Sequence, residues 1–321
     1  MIILTFHKHL FLLNLSRSMR RYIIIGQDHK EDTILDKTPS ALIMEGGAMR
    51  GMFTCGVIDV FMENNIDFDG AAGISAGAAF GCNFKSRQIG RPIRYNKKYG
   101  KDPRYASLRS LIKTGDYFGA EFCYETLPFE LDLFDTKAFS ENPLKFFVGA
   151  TDVDTGKIVY HLCTDGGKND ILWMRASASM PLVSRVVEAD GHRLLDGGIV
   201  DTVPYAYMES LGYKRNVIVL TQPKGYIKKK SRGNLLFKTF LRKYPAVVEG
   251  MEHRHEMYNR QMKEIEERET RGESFVIRPP CDLGISRTEN DPQELERVYQ
   301  IGRNEATKAL PKIREFLHIP D

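Results

Sequence analysis

The sequence predicts an α/β fold: a mostly parallel sheet covered by helices on both faces, followed by a mainly helical C-terminal segment. Three observations predict it. Short apolar runs alternate with helical stretches between residues 41 and 84. Two of the strand-to-helix junctions are glycine-rich, Glu45–Gly51 and Gly73–Gly77. Beyond residue 222 the chain turns to long, charge-laced stretches of helical character. At 321 residues it is long enough for one large α/β domain, or one domain plus an appendage.

Residues 1–39 read as a tail and lead-in. Met1–Leu15 is apolar but broken by His7, Lys8 and His9. It lacks a basic leader and a small-residue cleavage site, and falls short of the ~18 apolar residues a spanning helix needs. Met19 is an alternative start, and the first 18 residues otherwise form a short helix or a tail. Lys37-Thr38-Pro39-Ser40 closes the lead-in.

Ala41–Met44 is a short apolar run ending in glycines, which reads as a buried strand. Met52–Met62 carries Phe53, Val57, Val60 and Phe61 at helical spacing. Phe68–Ala72 is a second strand, and the small, apolar Ala76–Phe84 a tightly packed helix. Residues 86–142 have no clean period and read as helices joined by loops. Phe146–Thr151 and Ile158–Leu162 form partner strands across a Thr155-Gly156-Lys157 turn, and Asn169–Ala176 is helical. Val183–Glu188 and Arg193–Leu195 flank Asp190-Gly191, a hairpin signal. Tyr205–Leu211 reads as a short helix and Asn216–Thr221 as a further buried strand. The C-terminal part holds a helix over Glu249–Arg271, a strand at Phe275–Pro280 and a closing helix over Asp291–Leu317, with Asp291 as cap and Pro292 in its first turn. The expected division is a lead-in (1–39), a catalytic domain (40–222) and a basic, mostly helical segment packing on the core (223–321).

Hydrophobic residues make up 42% and charged residues 27%, with a net charge of +4, so the composition is globular and singles out no polyelectrolyte partner. The five cysteines, Cys55, Cys82, Cys123, Cys163 and Cys281, are odd in number, widely spaced and free of CxxC. That pattern argues against a zinc site or a disulfide framework and for reduced thiols in a cytoplasmic protein. No metal or other cofactor is expected.

Three motifs carry chemistry. Gly73-Ile74-Ser75-Ala76-Gly77 matches G-x-S-x-G, between a strand and an Ala-rich helix. A serine at such a turn adopts a strained backbone and projects its hydroxyl, and the flanking glycines let neighbouring backbone approach. Glu45–Gly51 is a glycine loop also set between strand and helix, and its backbone N–H groups suit an anion. The P-loop pattern G-x-x-x-x-G-K-[ST] is absent, and the dinucleotide pattern G-x-G-x-x-G fails because position 48 is Ala and position 49 is Met. The oxyanion of an acyl-transfer intermediate is the better match; the bland alternative is a tight packing turn. Leu194-Leu195-Asp196-Gly197-Gly198 places a carboxylate after a strand, where an ordinary Asp-Gly turn is the competing reading.

Together the three motifs resemble the patatin-like phospholipase family over residues 40–222. The resemblance implies a three-layer α/β/α architecture and a Ser–Asp dyad of Ser75 and Asp196. It also implies an oxyanion hole from the amides of Gly46, Gly47 and Ala48 with Arg50 bracing the loop, and a small-residue stretch, here Ala176–Pro181, before the Asp. By the same likeness the substrate is a lipid or other acyl ester, cleaved through an acyl-enzyme. A Ser…Asp…His triad competes with the dyad, with His161, His192, His253 and His255 as candidates. His253 and His255 lie in a charged helical stretch, His192 at a hairpin tip and His161 among apolar strand residues, so the dyad is preferred. A catalytically silent lipid-binding or regulatory protein of the same fold is the alternative of a different class.

Lys224–Lys243 holds eight basic residues, no acidic ones and interleaved aromatic and aliphatic side chains. An anionic membrane surface, met peripherally, and a solvated helix packing its apolar face on the main domain fit it equally. No nucleic-acid-binding motif accompanies it, so nucleic acid is not expected. Oligomeric state and the identity of the ester stay open at this level.

Overall fold

The structure is a computed structural model that describes residues 38–230 and 238–320. The expectations for Met1–Lys37 and for residues 231–237 lie outside the described residues.

Eight strands form one sheet in the order β5-β6-β3-β2-β1-β7-β8, with β4 also paired to β3. The strands are β1 Ser40–Met44, β2 Gly70–Ile74, β3 Lys145–Asp152, β4 Ile158–Cys163, β5 Val187–Ala189, β6 His192–Asp196, β7 Arg215–Val219 and β8 Ser274–Ile277. The central β3-β2-β1-β7-β8 pairings are parallel, and β4, β5 and β6 add antiparallel strands at one side. Every residue of β1 and β2 is buried, as the continuous apolar runs require of strands covered on both faces.

Period-two alternation divides β1 between two cores. Leu42 and Met44 join a large cluster with α1 (Gly51–Glu63) and the closing helix Pro292–Leu317. Ala41 and Ile43 join a second cluster with the short helix Tyr205–Ser210 and Ile265 of the long helix Pro245–Thr270. Helices therefore cover both faces, giving three layers. The C-terminal segment is part of this body, because β8 extends the sheet and the closing helix packs along α1. Those two helices touch backbone to backbone: a Cβ on Gly56 would lie 2.1 Å from the Tyr299 carbonyl oxygen, and one on Gly302 would lie 2.0 Å from that of Phe53.

Several boundaries differ from the sequence-based expectations. The second strand starts two residues later than Phe68, because the Asp69 carboxylate is tied to the Ser40 N–H at 2.8 Å and closes the turn before the sheet. The strand expected from Val183 is only Val187–Ala189. Residues 183–185 instead hold the 116–117 loop, with Tyr117 N–H donating to the Val183 carbonyl and Arg185 N–H to Asp116 Oδ1, both at 2.8 Å. The helix expected over Ala76–Phe84 is two short helices, Ala76–Ala79 and Cys82–Lys85, separated at Gly81, where a Cβ would lie 2.2 Å from the Gly77 carbonyl oxygen. The region 86–142 is helical in pieces: Arg91–Tyr99, Leu108–Thr114, a π-helix at Phe122–Leu131 and Thr136–Glu141. Pro128 inside the π-helix denies it the regular 3.6-residue ladder, which accounts for the missing period.

Candidate active site

Ser75 follows β2 directly and is the residue at which the next helix starts. Its backbone stands at φ 55°, ψ −118°, a region that costs a non-glycine residue on the order of 1–3 kcal/mol. Two features hold it there. The Ser75 N–H donates to Ser177 Oγ at 2.9 Å, and that hydroxyl donates to the Gly149 carbonyl of β3 at 2.6 Å. Gly73 and Gly77 allow the close packing the turn needs: a Cβ on Gly73 would lie 2.2 Å from the Gly77 carbonyl oxygen, and one on Gly77 2.3 Å from that of Met44.

Asp196 ends β6, and its residue partner across the ladder is Ala150 of β3. Its N–H donates to the Ser179 carbonyl at 2.8 Å, and its own carbonyl accepts from Thr151 Oγ1 at 2.8 Å. The carboxylate is 5% exposed and both its oxygens are engaged. Oδ2 accepts from Ser75 Oγ at 2.7 Å, and Oδ1 accepts from the Gly198 N–H at 2.7 Å. Gly197 is required by packing, since a Cβ there would lie 2.4 Å from the Gly149 carbonyl oxygen. Burial raises the Asp196 pKa above the ordinary carboxylate value; the positive charge of Arg254 and the Ser75 and Gly198 hydrogen bonds pull against it.

The glycine loop passes beside Ser75. Ala48 stands at φ 49°, in the left-handed region, and starts a single 3₁₀ turn, Ala48–Arg50. The amides of Gly47 and Ala48 have no backbone partner among the described residues, and both residues line the polar chamber next to Ser75. Gly46 departs from the expected role. Its N–H donates to the Thr202 carbonyl at 3.3 Å, so it is already committed. Its requirement is steric, because a Cβ there would meet the Ile74 carbonyl oxygen at 3.0 Å and Ser75 Cβ at 3.1 Å. Arg50 Nε donates to Thr221 Oγ1 at 3.4 Å, and Arg50 also lines the chamber. Beneath the loop, the buried Glu45 carboxylate accepts from Thr221 N–H at 2.5 Å and from the Tyr258 hydroxyl at 3.1 Å.

Ser75 lies where two cavities meet. One, of about 120 Å³, is lined mainly by apolar side chains, including Phe80, Phe118, Leu127, Phe134 and Met174. Much of its wall comes from residues 91–134. The other, of about 30 Å³, is polar and brings together Arg50, Lys228, Arg254 and Arg287.

None of the four candidate histidines bonds to Ser75 or Asp196, and none lines either cavity. His161 faces Asp170 at 2.8 Å, His192 faces Asp152 at 2.9 Å and His253 faces Glu256 at 3.0 Å. Among the described residues, His161, Cys163 and Asp170 form one metal-type group, with possible ligand atoms within 4.8 Å of one another. Asp170 is satisfied without an ion: Oδ2 accepts the N–H groups of Thr164, Asp165 and Gly166 at 2.7, 3.0 and 2.9 Å, and Oδ1 faces His161.

Several site residues carry no obvious sequence signal. Ser177 sits in the small-residue stretch before Asp196 and anchors the Ser75 amide. Arg254 donates through Nε to the Gly198 carbonyl, next to the amide that holds Asp196. Its signal is periodic: with Val247, Tyr258 and Ile265 it stands at spacings of seven, four and seven on one buried helix stripe. Lys228 departs from the solvated-helix reading, one of the two weighed for Lys224–Lys243. Lys224–Lys230 has no helix, the Lys228 backbone is pinned to Asn259 at 2.8 and 3.0 Å, and its ammonium lies 4.2 Å from the Tyr258 ring centroid. Lys224, Lys229, Lys230, Lys238, Arg242 and Lys243 do face solvent.

Residues 244–318 match a domain of unknown function (DUF6363). An uncharacterized protein, YjjU, of Escherichia coli K12 is 31% identical over 191 residues, 57% of this chain and 52% of that protein. Patatin-like phospholipase domain-containing protein 7 of Rattus norvegicus is 26% identical over 190 residues, 56% of this chain and 13% of its length. An uncharacterized NTE family protein of Mycobacterium tuberculosis H37Rv is 30% identical over 166 residues, 52% of this chain and 44% of its own. The chain thus spans about half the length, or less, of these curated relatives. Among solved structures, VipD from Legionella pneumophila aligns with 12% identity and a TM-score of 0.43 over 86% of this chain and 67% of that one. Residues 42–208, which carry the glycine loop, the serine turn and the Asp-Gly-Gly corner, match the patatin-like phospholipase model, and the chain belongs to that family.

Proposed function

We propose that the protein is a serine acyl hydrolase of lipid esters that works through a Ser75–Asp196 dyad. The observation that carries this reading is the 2.7 Å hydrogen bond from Ser75 Oγ to Asp196 Oδ2, made by a serine held at positive φ. In the forward step Ser75 Oγ bonds to the ester carbonyl carbon and passes its proton to Asp196. The oxyanion is held by the amides of Gly47 and Ala48, worth roughly 3–4 kcal/mol for such a donor. Collapse breaks the bond to the alcohol, which leaves with the proton from Asp196. Water then attacks the acyl-enzyme, giving its proton to Asp196, and the fatty acid departs as the serine hydroxyl reforms. Burial of Asp196 helps here, because a carboxylate of raised pKa is a stronger base than an ordinary one. The apolar cavity beside Ser75 suits the acyl chain.

Labelling with a fluorophosphonate probe tests this, with hydrolysis of a short-chain ester as the second readout. Wild type is expected to label and turn over, and Ser75→Ala to do neither. Absence of Ser75-dependent labelling would favour a silent lipid-binding protein of the same fold.

A further inference from the structure

One face of the helix Pro245–Thr270 grips both the Asp-Gly-Gly corner and the glycine loop. Arg254, Tyr258 and Gln261 stand at spacings of four and three, so they lie one above another on one side of the helix. Arg254 Nε donates to the Gly198 carbonyl of the corner. The Tyr258 hydroxyl donates to Glu45 Oε1 at 3.1 Å, beneath the glycine loop. Gln261 Oε1 accepts from the Thr202 N–H at 3.2 Å, and its Nε2 donates to Asp201 Oδ1 at 2.7 Å and to the Val203 carbonyl at 3.1 Å. The Thr202 carbonyl in turn holds the Gly46 N–H at 3.3 Å. Gly250 lets the helix sit this close, since a Cβ there would lie 2.9 Å from Ile199 Cγ2.

Arg254 is the member of this row nearest the chemistry, and it lines the polar chamber with Ser75 and Asp196. It anchors the residue whose amide aims the carboxylate, since the Gly198 N–H donates to Asp196 Oδ1 at 2.7 Å. The corner is pinched between the two side chains: a Cβ on Gly198 would lie 3.0 Å from Asp196 Oδ1 and 3.3 Å from Arg254 Nη2. Asp196 is also the acid that most favours the charge on Arg254. In return, that charge opposes the burial that raises the Asp196 pKa. Arg50, Lys228 and Arg287 share the chamber with Asp196, and Tyr124, kept neutral by burial, stands on the side of the apolar cavity. Of the cations, Arg254 pulls hardest on Asp196, ahead of Arg287.

We infer that Arg254 is a positioning residue for the Asp196 base, and that the helix carrying it is the frame that sets the Asp corner and the glycine loop against each other. This rests on the dyad reading. It gives the segment 244–318, whose role is otherwise unassigned, a part in the reaction. The carboxylate is aimed from outside the stretch that carries the three motifs, by a guanidinium that never has to touch the reacting atoms.

The test is a double-substitution cycle on hydrolysis of a short-chain ester by the whole chain, read together with pH profiles. Arg254→Gln should lower kcat/KM by ~10–100-fold through a displaced carboxylate. With the cation gone the Asp196 pKa rises further, so the acid limb of kcat/KM should move to higher pH by roughly one unit or more. Arg254→Lys keeps the charge but not the planar Nε donor, so its acid limb should stay near that of wild type while kcat falls. In an Asp196→Asn background either substitution should cost about threefold or less, because the group it serves is already gone. Tyr258→Phe is the control. It removes only the hydroxyl on Glu45, so its loss should multiply with that of Asp196→Asn and leave the acid limb in place. Circular dichroism and melting temperature establish that each variant is folded, and if Arg254→Gln is not, Arg254→Lys carries the cycle. Losses at Arg254 that multiply in full with Asp196→Asn, or an unmoved acid limb in a folded Arg254→Gln, would overturn the assignment. Wild type without Ser75-dependent turnover, or Asp196→Asn as active as wild type, would instead sink the dyad reading itself.

Discussion

Asp196→Asn separates what the carboxylate does for chemistry from what it costs the fold. Asn has the same shape, so Oδ1 can keep the 2.7 Å bond from the Gly198 N–H, and the other arm stays 2.7 Å from Ser75 Oγ. What disappears is the ability to take the serine proton. General-base action of this kind contributes ~10²–10⁴-fold, or about 3–5 kcal/mol of barrier. Activity should fall by that factor, with the remainder sustained by the amides of Gly47 and Ala48. Stability should move the other way. The folded-state pKa of Asp196 lies above its unfolded value because burial penalises the ionised form, so the wild type is destabilised as pH rises through that range. The variant should therefore melt higher than wild type at pH 8, with the advantage vanishing below about pH 4, where both states of the wild type are protonated. The pH profile of wild-type kcat/KM should show an acid limb above the ordinary carboxylate range. Esterase assays from pH 4 to 9 and thermal denaturation at both ends of that range read all of this. An Asp196→Asn variant with more than about a tenth of wild-type kcat/KM would refute the assignment of the base.

Three further outcomes are expected. Ser177→Ala removes the partner of the Ser75 amide and the donor to the Gly149 carbonyl; denaturant titration should show a loss of about 1–3 kcal/mol, with a drop in kcat. Gly46→Ala drives a methyl group against Ser75 Cβ and the Ile74 carbonyl, and should lower kcat/KM by ~10–100-fold through displaced geometry; near-normal turnover would show that the loop can yield. Alanine at His161, His192, His253 or His255 should leave most esterase activity, and a loss of several orders of magnitude at any one would replace the dyad with a triad.

Much of the fold was legible because the informative segments answer to one local rule each. Ala41–Met44 is apolar throughout and lies in a strand buried on both faces. Asp190-Gly191 reads as a hairpin and takes positive φ at both positions, 48° and 79°. Asp291 reads as a cap and accepts the Gln293 N–H at 3.0 Å. The glycine loop, Ser75 and Asp196 were legible as motifs. Their meeting was legible only through the family resemblance and not from the residues, because it depends on a 121-residue separation closed by the β3–β6 pairing. Residues 86–142 hid their structure because no helix there keeps a long buried stripe and one winds at the wrong pitch around Pro128. Lys228 and Arg254 were hidden for the opposite reason. Their local sequence is what a solvated surface would show, and only the tertiary packing against Tyr258 and Gly198 turns them inward.

The crossing of α1 and the closing helix at Gly56 and Gly302 makes the last part of the chain a fixed wall of the machine. Neither helix can back away from the other to admit even a methyl group without giving up its seat. The first turn of α1 begins at Gly51, the last residue of the glycine loop, so the helix that packs on α1 helps set where those amides point. A chain cut after Gln222 would keep every motif and still lose the surface on which its first helix rests. Such a fragment should be less stable than the whole chain, because α1 would have lost the helix it packs along.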